Sequence, residues 1–258
     1  MRYGICTGPE NLGLLEKLGY DYIEMSVTAT MKLTEEEQEA YRRQLKESSV
    51  KCEVFNILFP KTMELLGGSV SEEALRAYLH KAMALIQSFG ADTVVFGSGK
   101  CRNCPETMAL RDAYQKLIEV YRITGAVAAE YGITVVIEPL SRKETNLINT
   151  LSEGAMLESD VKLPNVRLLA DFFHVMANHD SIESIKTIKH FGHFHIAAEH
   201  GRKYPVSEEG EEYGAFMNAL KAIGYDGRLS IEGKTEDMEQ DAGKALALLK
   251  KLEGREVE

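Results

Sequence analysis

The stretch Leu110–Glu138, LRDAYQKLIEVYRITGAVAAEYGITVVIE, holds in one frame the unit from which the whole chain is built. Apolar side chains at Leu110, Tyr114, Leu117 and Tyr121 recur three or four residues apart, which lines them along one face of a helix. Gly132 stands where that helix closes, at a left-handed position that favours a residue without a Cβ. The run Ile133–Glu138 follows, short, β-branched and apolar as a buried strand requires, and it ends on a carboxylate.

The same order recurs in both directions from this unit. Strand-like runs stand at Arg2–Cys6, Asp21–Met25, Lys51–Ile57, Thr93–Phe96, Ile133–Glu138, Val166–Asp171, His193–Ala197 and Arg228–Glu232. Helical stripes lie between them, as in Leu75, Leu79, Ala82, Ile86 and Phe89, and a last one runs through Ala242, Leu246, Leu249 and Leu252. Gly19, Gly90 and Gly224 repeat the part played by Gly132, and Leu18-Gly-Tyr-Asp-Tyr22 is nearly reproduced by Ile223-Gly-Tyr-Asp-Gly227. Strict alternation of strand and helix requires a parallel sheet, because each crossover needs a helix to bring the chain back. Eight such units without a long polar linker predict an α/β fold, a closed (β/α)8 TIM barrel filling residues 1–258 as a single domain. An open doubly wound sheet would carry a glycine-rich phosphate-binding turn after its first strand. Thr7-Gly8-Pro9-Glu10 has one glycine and a proline there instead.

With 258 residues, 44% of them hydrophobic and 27% charged, the chain has the length and balance of one such barrel, and disordered, collagen-like and disulfide-scaffold classes are excluded. Its 30 Lys and Arg against 40 Asp and Glu leave a net charge of −10, opposite to what gripping a nucleic-acid backbone needs. The four cysteines, Cys6, Cys52, Cys101 and Cys104, follow no secretory signal, and no apolar run approaches the length of a membrane span. These features predict a reduced, cytoplasmic protein with no membrane span.

In a barrel of this kind the reactive groups sit at the C-terminal strand ends, where the βα loops build the mouth. The fifth, sixth and eighth strands end on Glu138, Asp171 and Glu232, and the seventh passes through His195. Four titratable groups at one level cost several kcal/mol in desolvation and repulsion unless a cation compensates them. Singly, each reads as a loop cap or a surface ion-pair partner; in register, they read as a metal site. Three oxygen donors and one nitrogen suit Mn²⁺, Co²⁺, Mg²⁺ or Zn²⁺.

The strings Val136-Ile-Glu-Pro-Leu140, Asp171-Phe-Phe-His174, His195-Ile-Ala-Ala-Glu-His-Gly-Arg202 and Ser230-Ile-Glu232 resemble the xylose isomerase-like TIM-barrel superfamily, in particular its sugar phosphate isomerase/epimerase branch, which includes ketose 3-epimerases. The resemblance spans nearly the whole chain. It implies one divalent cation, Mn²⁺ or Co²⁺ ahead of Mg²⁺ or Zn²⁺, on Glu138, Asp171, His195 and Glu232, with substrate contacts from His174 and Arg202. Glu144, six residues past Glu138, matches a second glutamate that helps hold the sugar, while Ser141 stands where the family more often has Asn. A hydroxyl cannot donate and accept across the same span as an amide, so this departure bears on substrate fit and leaves the metal set intact.

Such a site points to a metal-dependent isomerase or epimerase of a small sugar or sugar phosphate. A cation bridging a carbonyl oxygen and the adjacent hydroxyl stabilises an enediolate, and Glu138 and Glu232 would remove and return the proton from opposite faces. One face serving both transfers gives aldose–ketose isomerisation, and expulsion of a β-hydroxyl gives a dehydratase of an inosose or related keto-polyol. His174 and Arg202 suit donors to developing oxygen charge. In purely structural roles His174 would cap the sixth-strand loop and Arg202 would pair with Glu199 or Glu208. An apurinic endonuclease of the same superfamily draws extra histidines from the second and third strands, where Glu24 and Phe55-Asn-Ile-Leu-Phe-Pro60 supply none. A barrel that only binds a sugar or a partner protein is disfavoured by the completeness of the ligand set. The expected partner is the small-molecule substrate, not nucleic acid or membrane, with homo-oligomerisation left open.

Cys101-Arg-Asn-Cys104 has no second pair to complete a thiolate site and reads as a loop at the pocket rim. Gly97-Ser-Gly99 either brings backbone N–H groups to a ligand or makes a turn. Glu24 either lines the pocket or caps a loop, and His193, one layer below His195, reads as a buried structural histidine. His80, His179, His190 and His200 receive no role.

Overall fold

Eight strands pair in chain order and the eighth returns to the first, closing a parallel barrel. They are β1 (Arg2–Cys6), β2 (Tyr22–Ser26), β3 (Lys51–Asn56), β4 (Thr93–Phe96), β5 (Thr134–Ile137), β6 (Val166–Asp171), β7 (Phe191–Ile196) and β8 (Arg228–Ile231). The helices outside them are α1 (Leu12–Leu18), α2 (Val27–Thr30), α3 (Glu35–Glu47), α4 (Glu72–Ser88), α5 (Leu110–Glu130), α6 (Leu151–Val161), α7 (Phe172–Ala177), α8 (Tyr213–Ala222) and α9 (Met238–Glu253). This computed structural model describes residues 1–68 and 70–254. Gly19, Gly90, Gly132 and Gly224 all take the left-handed conformation expected of them, with φ of 83°, 82°, 71° and 67°. Two helices begin on reciprocal caps: Thr34 with Glu37 at α3, and Thr150 with Glu153 at α6. Among the described residues no helix is long and apolar enough to cross a membrane.

β1, β4 and β6 have the bounds expected from the sequence, and the other strands differ from them by one or two residues at an end. Ile57 turns to φ 49° and so leaves β3. Glu138 and Glu232 lie one residue past the last ladder positions of β5 and β8. β7 starts two residues before His193, at Phe191, because Gly192 interrupts its apolar pattern without breaking the strand. That glycine is a packing requirement, since a Cβ there would come 2.9 Å from both Arg167 Cβ and Val136 Cγ1.

Alternation along each strand sorts the side chains into two cores. Ile23, Phe55, Val94, Val135, Leu168, Phe194 and Leu229 point outward and join helix residues such as Leu79, Leu117 and Leu246 in the main hydrophobic cluster. Tyr22, Val54, Val95, Val136 and Leu169 form a separate small cluster inside the barrel. The same parity turns Glu24, His193, His195 and Ser230 inward, so the interior has a polar part beside the apolar one. All four of these are buried.

Gly4 on β1 lets the two parts meet. It pairs with Tyr22 on one side and Ser230 on the other. The Tyr22 ring lies across the glycine and its hydroxyl reaches Ser230 Oγ at 2.8 Å. A Cβ on Gly4 would sit 2.3 Å from the Tyr22 ring. In an ordinary strand Gly→Ala removes backbone freedom from the unfolded chain and helps stability. Here we predict the opposite sign: Gly4→Ala lowers unfolding free energy by about 1–3 kcal/mol, the usual cost of overpacking a filled interior. Urea unfolding of the two proteins measures it, and a variant as stable as the parent would show that the ring is not fixed there.

Candidate active site

Glu138, Asp171, His195 and Glu232 come together at the C-terminal mouth of the barrel. Each offers one ligand atom, and the four atoms all lie within 4.8 Å of one another. Local structure aims each one. Asp171 ends β6 and caps α7, with Oδ1 accepting the Phe173 N–H at 3.0 Å, so Oδ2 is left for the site. Glu138 occupies space that only a glycine at position 97 leaves open, since a Cβ there would meet Glu138 Oε2 at 1.9 Å. The backbone carbonyl of Glu138 accepts from Arg102 Nη2 at 2.5 Å.

His195 is held from below. Its Nε2 is 3.0 Å from Glu24 Oε1, while His193 Nε2 lies 2.9 Å and Ser230 Oγ 2.7 Å from Glu24 Oε2. Donation from Nε2 leaves Nδ1 facing the mouth, 3.1 Å from Glu232 Oε2 and 3.5 Å from Glu138 Oε1. Glu24 therefore neither caps a loop nor serves only as lining; it is the interior acceptor for two imidazoles. His193 has the structural place expected of it.

His174 has a defined orientation too. Its Nδ1 faces the Ser141 backbone N–H at 3.0 Å, which donates to it and leaves Nε2–H directed at the site. Nε2 is 3.6 Å from Asp171 Oδ2 and 3.7 Å from Glu138 Oε1. The Ser141 hydroxyl, the departure noted in the sequence, is engaged with Glu144 Oε1 at 3.2 Å. Glu144 in turn lies 3.6 Å from Arg202 Nη1. Arg202 ion-pairs with Glu232 and, at 3.2 Å, with Asp171, and its guanidinium stands 4.8 Å over the Phe173 ring. The structure thus brings all seven sequence-selected residues into one site.

Electrostatics sets these groups apart. Burial pushes the Glu138 and Asp171 carboxyls above their usual range. Burial acts on Glu232 in the same sense, but Arg202 and then His195 outweigh it and hold this carboxyl below the usual range. Burial opposes charge on His195, yet the Glu24 and Glu232 carboxylates outweigh it and raise its pKa. Burial, with Arg202 next, keeps His174 neutral by lowering its pKa well below the ordinary value.

A divalent cation fits this donor set. Glu138 Oε1, His174 Nε2 and His195 Nδ1 are buried and find no hydrogen-bond partner among the described residues. Two are ligand atoms of the cluster, and an orphaned buried acceptor is costly unless something positive meets it. Arg202 supplies part of that charge from the rim. Glu138, Asp171, Glu232 and His195 Nδ1 are the donors that could hold the cation.

Some contributors escaped the sequence reading. Arg102 is fully buried, donates to Tyr121 Oη at 3.2 Å as well as to Glu138, and sits inside Cys101-Arg-Asn-Cys104. All four cysteines are free thiols, and Cys101 is buried with its Sγ 3.1 Å from the Pro60 carbonyl, so this segment is a packed loop. Its flanking cysteine was the available clue, because cysteine favours buried positions. Ser98, in the Gly97–Gly99 turn, accepts the Phe59 N–H at 3.0 Å. His80 contacts Tyr131 Oη at 3.2 Å on the outer helices, away from the mouth.

The protein is a parallel (β/α)8 barrel with three carboxylates and an imidazole gathered at the ends of its last four strands, where they could hold a cation. The chain belongs to the xylose isomerase-like TIM barrel family, whose model matches residues 12–252. Among curated relatives, 3-dehydro-D-guloside 4-epimerase of Escherichia coli K12 is 30% identical over 146 residues, which is 54% of each chain. The chain matches about half the length, or less, of this and two further relatives, a putative hydroxypyruvate isomerase of Drosophila melanogaster and a D-psicose 3-epimerase of Ruminiclostridium cellulolyticum. Among solved structures, D-psicose 3-epimerase crystallised in the presence of D-fructose superposes with a TM-score of 0.84 at 22% identity, covering 98% of this chain and 100% of that one. The IOLI protein with a bound zinc atom superposes at 0.78 with 18% identity, covering 98% of both chains.

The Glu24 contact yields a prediction. A glutamine amide can accept from one imidazole but must turn its NH₂ toward the other donors, so Glu24→Gln disturbs the His195 tautomer. We expect Mn²⁺ affinity to fall about 10- to 100-fold, the usual effect of losing such an orienting partner. Metal titration measures the affinity, and nitrogen NMR of the imidazoles reports the tautomer. Unchanged Mn²⁺ binding would show that Glu24 does not orient His195.

Proposed function

We propose that the protein is a divalent-metal-dependent epimerase or isomerase of a small ketose. The observation that carries this reading is the four-residue cluster with a glutamate at each end of it, Glu138 after β5 and Glu232 after β8. Epimerase and isomerase names among the relatives support it. Glu138, Asp171, His195 and Glu232 would hold Mn²⁺ or Co²⁺. Bound there, the cation supplies Lewis acidity and a template for two adjacent substrate oxygens.

The protein's own residues then do the proton work. Glu138 and Glu232 approach the carbon beside the carbonyl from different strands; one takes its proton and the other returns a proton to the opposite face, which inverts the centre. His174 Nε2–H and the Arg202 guanidinium point into the same space and would donate to negative charge developing on oxygen. Glu144, through Arg202 and the Ser141 hydroxyl, fixes the rim against which the carbon chain rests.

Incubation of the Mn²⁺-loaded protein with a ketose panel in deuterium oxide tests this directly. Deuterium should enter at the carbon beside the carbonyl, a chelator should stop it, and added Mn²⁺ should restore it. Glu138→Gln and Glu232→Gln should each lose about 10²–10⁴-fold in exchange rate, the range for removing a general acid or base, while His80→Ala keeps the parent rate. Full activity in both glutamine variants would overturn the assignment, and net loss of water from the substrate would make the enzyme a dehydratase instead.

A further inference from the structure

Charge is distributed unevenly around the mouth. The cavity of about 310 Å³ over Glu138 and Glu232 is lined by Lys61 after β3, Lys100 after β4 and Lys143 after β5, together with Arg202. The adjoining cavity of about 400 Å³, over Cys6 and Glu24, shares Glu232 with it and is lined by no lysine or arginine. Arg202 is committed to Asp171, Glu144 and Glu232. The three lysines are exposed, and their ammonium groups make no ion pair or hydrogen bond with any described residue.

A wholly neutral substrate would leave these three ammonium groups unmatched. The cluster carboxylates are met by Arg202 and, when bound, a divalent cation, and the one further rim carboxylate facing this cavity, Glu144, is already engaged by Arg202 and Ser141. Three uncommitted cations on successive loops remain facing one opening, in a chain that carries ten surplus negative charges. Lysine ammoniums are mobile point charges that suit a phosphate or carboxylate without demanding one fixed geometry. Clustered at the mouth of a low-dielectric cleft, they also raise the local concentration of an anion.

We propose that the substrate carries an anionic group, a phosphate or a carboxylate, on the end of its carbon chain remote from the reacting carbons, and that Lys61, Lys100 and Lys143 receive it. The proposal rests on the reading of the mouth as a ketose site, and it assigns polarity to that site. The reacting carbons lie over Glu138 and Glu232, and the charged end leans toward the loops after β3, β4 and β5.

Calorimetric binding to the Mn²⁺-loaded protein tests it with three probes: D-fructose, its terminal phosphate ester, and the keto acid in which its terminal alcohol is oxidised to a carboxylate. At low ionic strength at least one anionic probe should bind roughly tenfold tighter than D-fructose, as three exposed ion pairs would give together. The preference should shrink in about 1 M salt, where the screening length is roughly 3 Å. It should collapse in the Lys61→Met/Lys100→Met/Lys143→Met variant, and drop about two- to threefold in Lys100→Met alone if the triple variant does not fold. Because the readout is a ratio of affinities, a general loss of sugar binding does not imitate the effect, and anion binding directly to the metal would survive the lysine substitutions. A preference confined to the ester assigns a phosphate, and one confined to the keto acid a carboxylate. Anionic probes that bind no better than D-fructose, or not at all, overturn the proposal, as does a preference that persists in the lysine variants. Failure of the catalytic reading shows separately, as absence of deuterium exchange in a sugar that binds with the lysine-dependent preference intact.

Discussion

The carboxylate of Glu24 lies inside the barrel, enclosed on all sides, and takes hydrogen bonds from His193, His195 and Ser230 on the opposite wall. An isolated carboxylate in such a place would be driven to its neutral form. Here the two imidazoles overcome the burial penalty and hold it well below the usual range. The contact crosses the barrel from β2 to β7 and β8, so it joins walls that share no backbone ladder at that level except through β1. Gly4 on that intervening strand, and the Tyr22 hydroxyl on Ser230, belong to the same brace. The mouth is tied to this layer through His195, which belongs to both: one ring nitrogen faces Glu24 and the other faces Glu138 and Glu232.

The mouth itself is a problem of charge. Three carboxylates and an imidazole share a space a few ångströms across, and they are stable there only with positive charge among them. Arg202 provides some of it by reaching Asp171 and Glu232 from a backbone position with φ 51°, an uncommon conformation for an arginine. Stacking over Phe173 holds the planar guanidinium in that pose. The arrangement separates the two outer glutamates in character: burial raises Glu138, while Arg202 and His195 keep Glu232 ionised. Pairs of carboxyls pushed apart in this way are the usual raw material of acid–base chemistry.

Most of the architecture was legible in the sequence, because a barrel of this type repeats one local instruction eight times. Short β-branched apolar runs marked the strands, stripes of period three and four the helices, and glycines the helix ends. Glu138, Asp171 and Glu232 were readable as site residues for the same reason: strand ends of a parallel barrel converge, so sequence position fixes spatial level. What stayed hidden depends on contacts across the barrel or between loops. Glu24 looked like any strand-end carboxylate, since nothing local says that its partners sit more than 160 residues away. Arg102 went unremarked inside a loop placed at the pocket rim, although it is buried and donates to the Glu138 carbonyl. The early start of β7 was masked by Gly192, whose role is to let Arg167 and Val136 approach.

Parity explains why these two kinds of information divide as they do. Side chains two residues apart on a strand face the same way but occupy successive layers. His193 and His195 are such a pair, and the lower one completes the brace while the upper one joins the mouth. Along β3 to β6 the layer beneath the mouth is filled by Val54, Val95, Val136 and Leu169, which offer no polar group. The donors stand above it at the ends of β5 to β8, and the loops after β3 to β5 border the opening, where Gly97 yields its space to Glu138 and three lysines are exposed. The mouth therefore has braced polar side chains beneath it and exposed lysines on the loops around it. The proposed chemistry thus rests on the braced layer that holds His195, whereas Lys61, Lys100 and Lys143 stand on loops outside that layer.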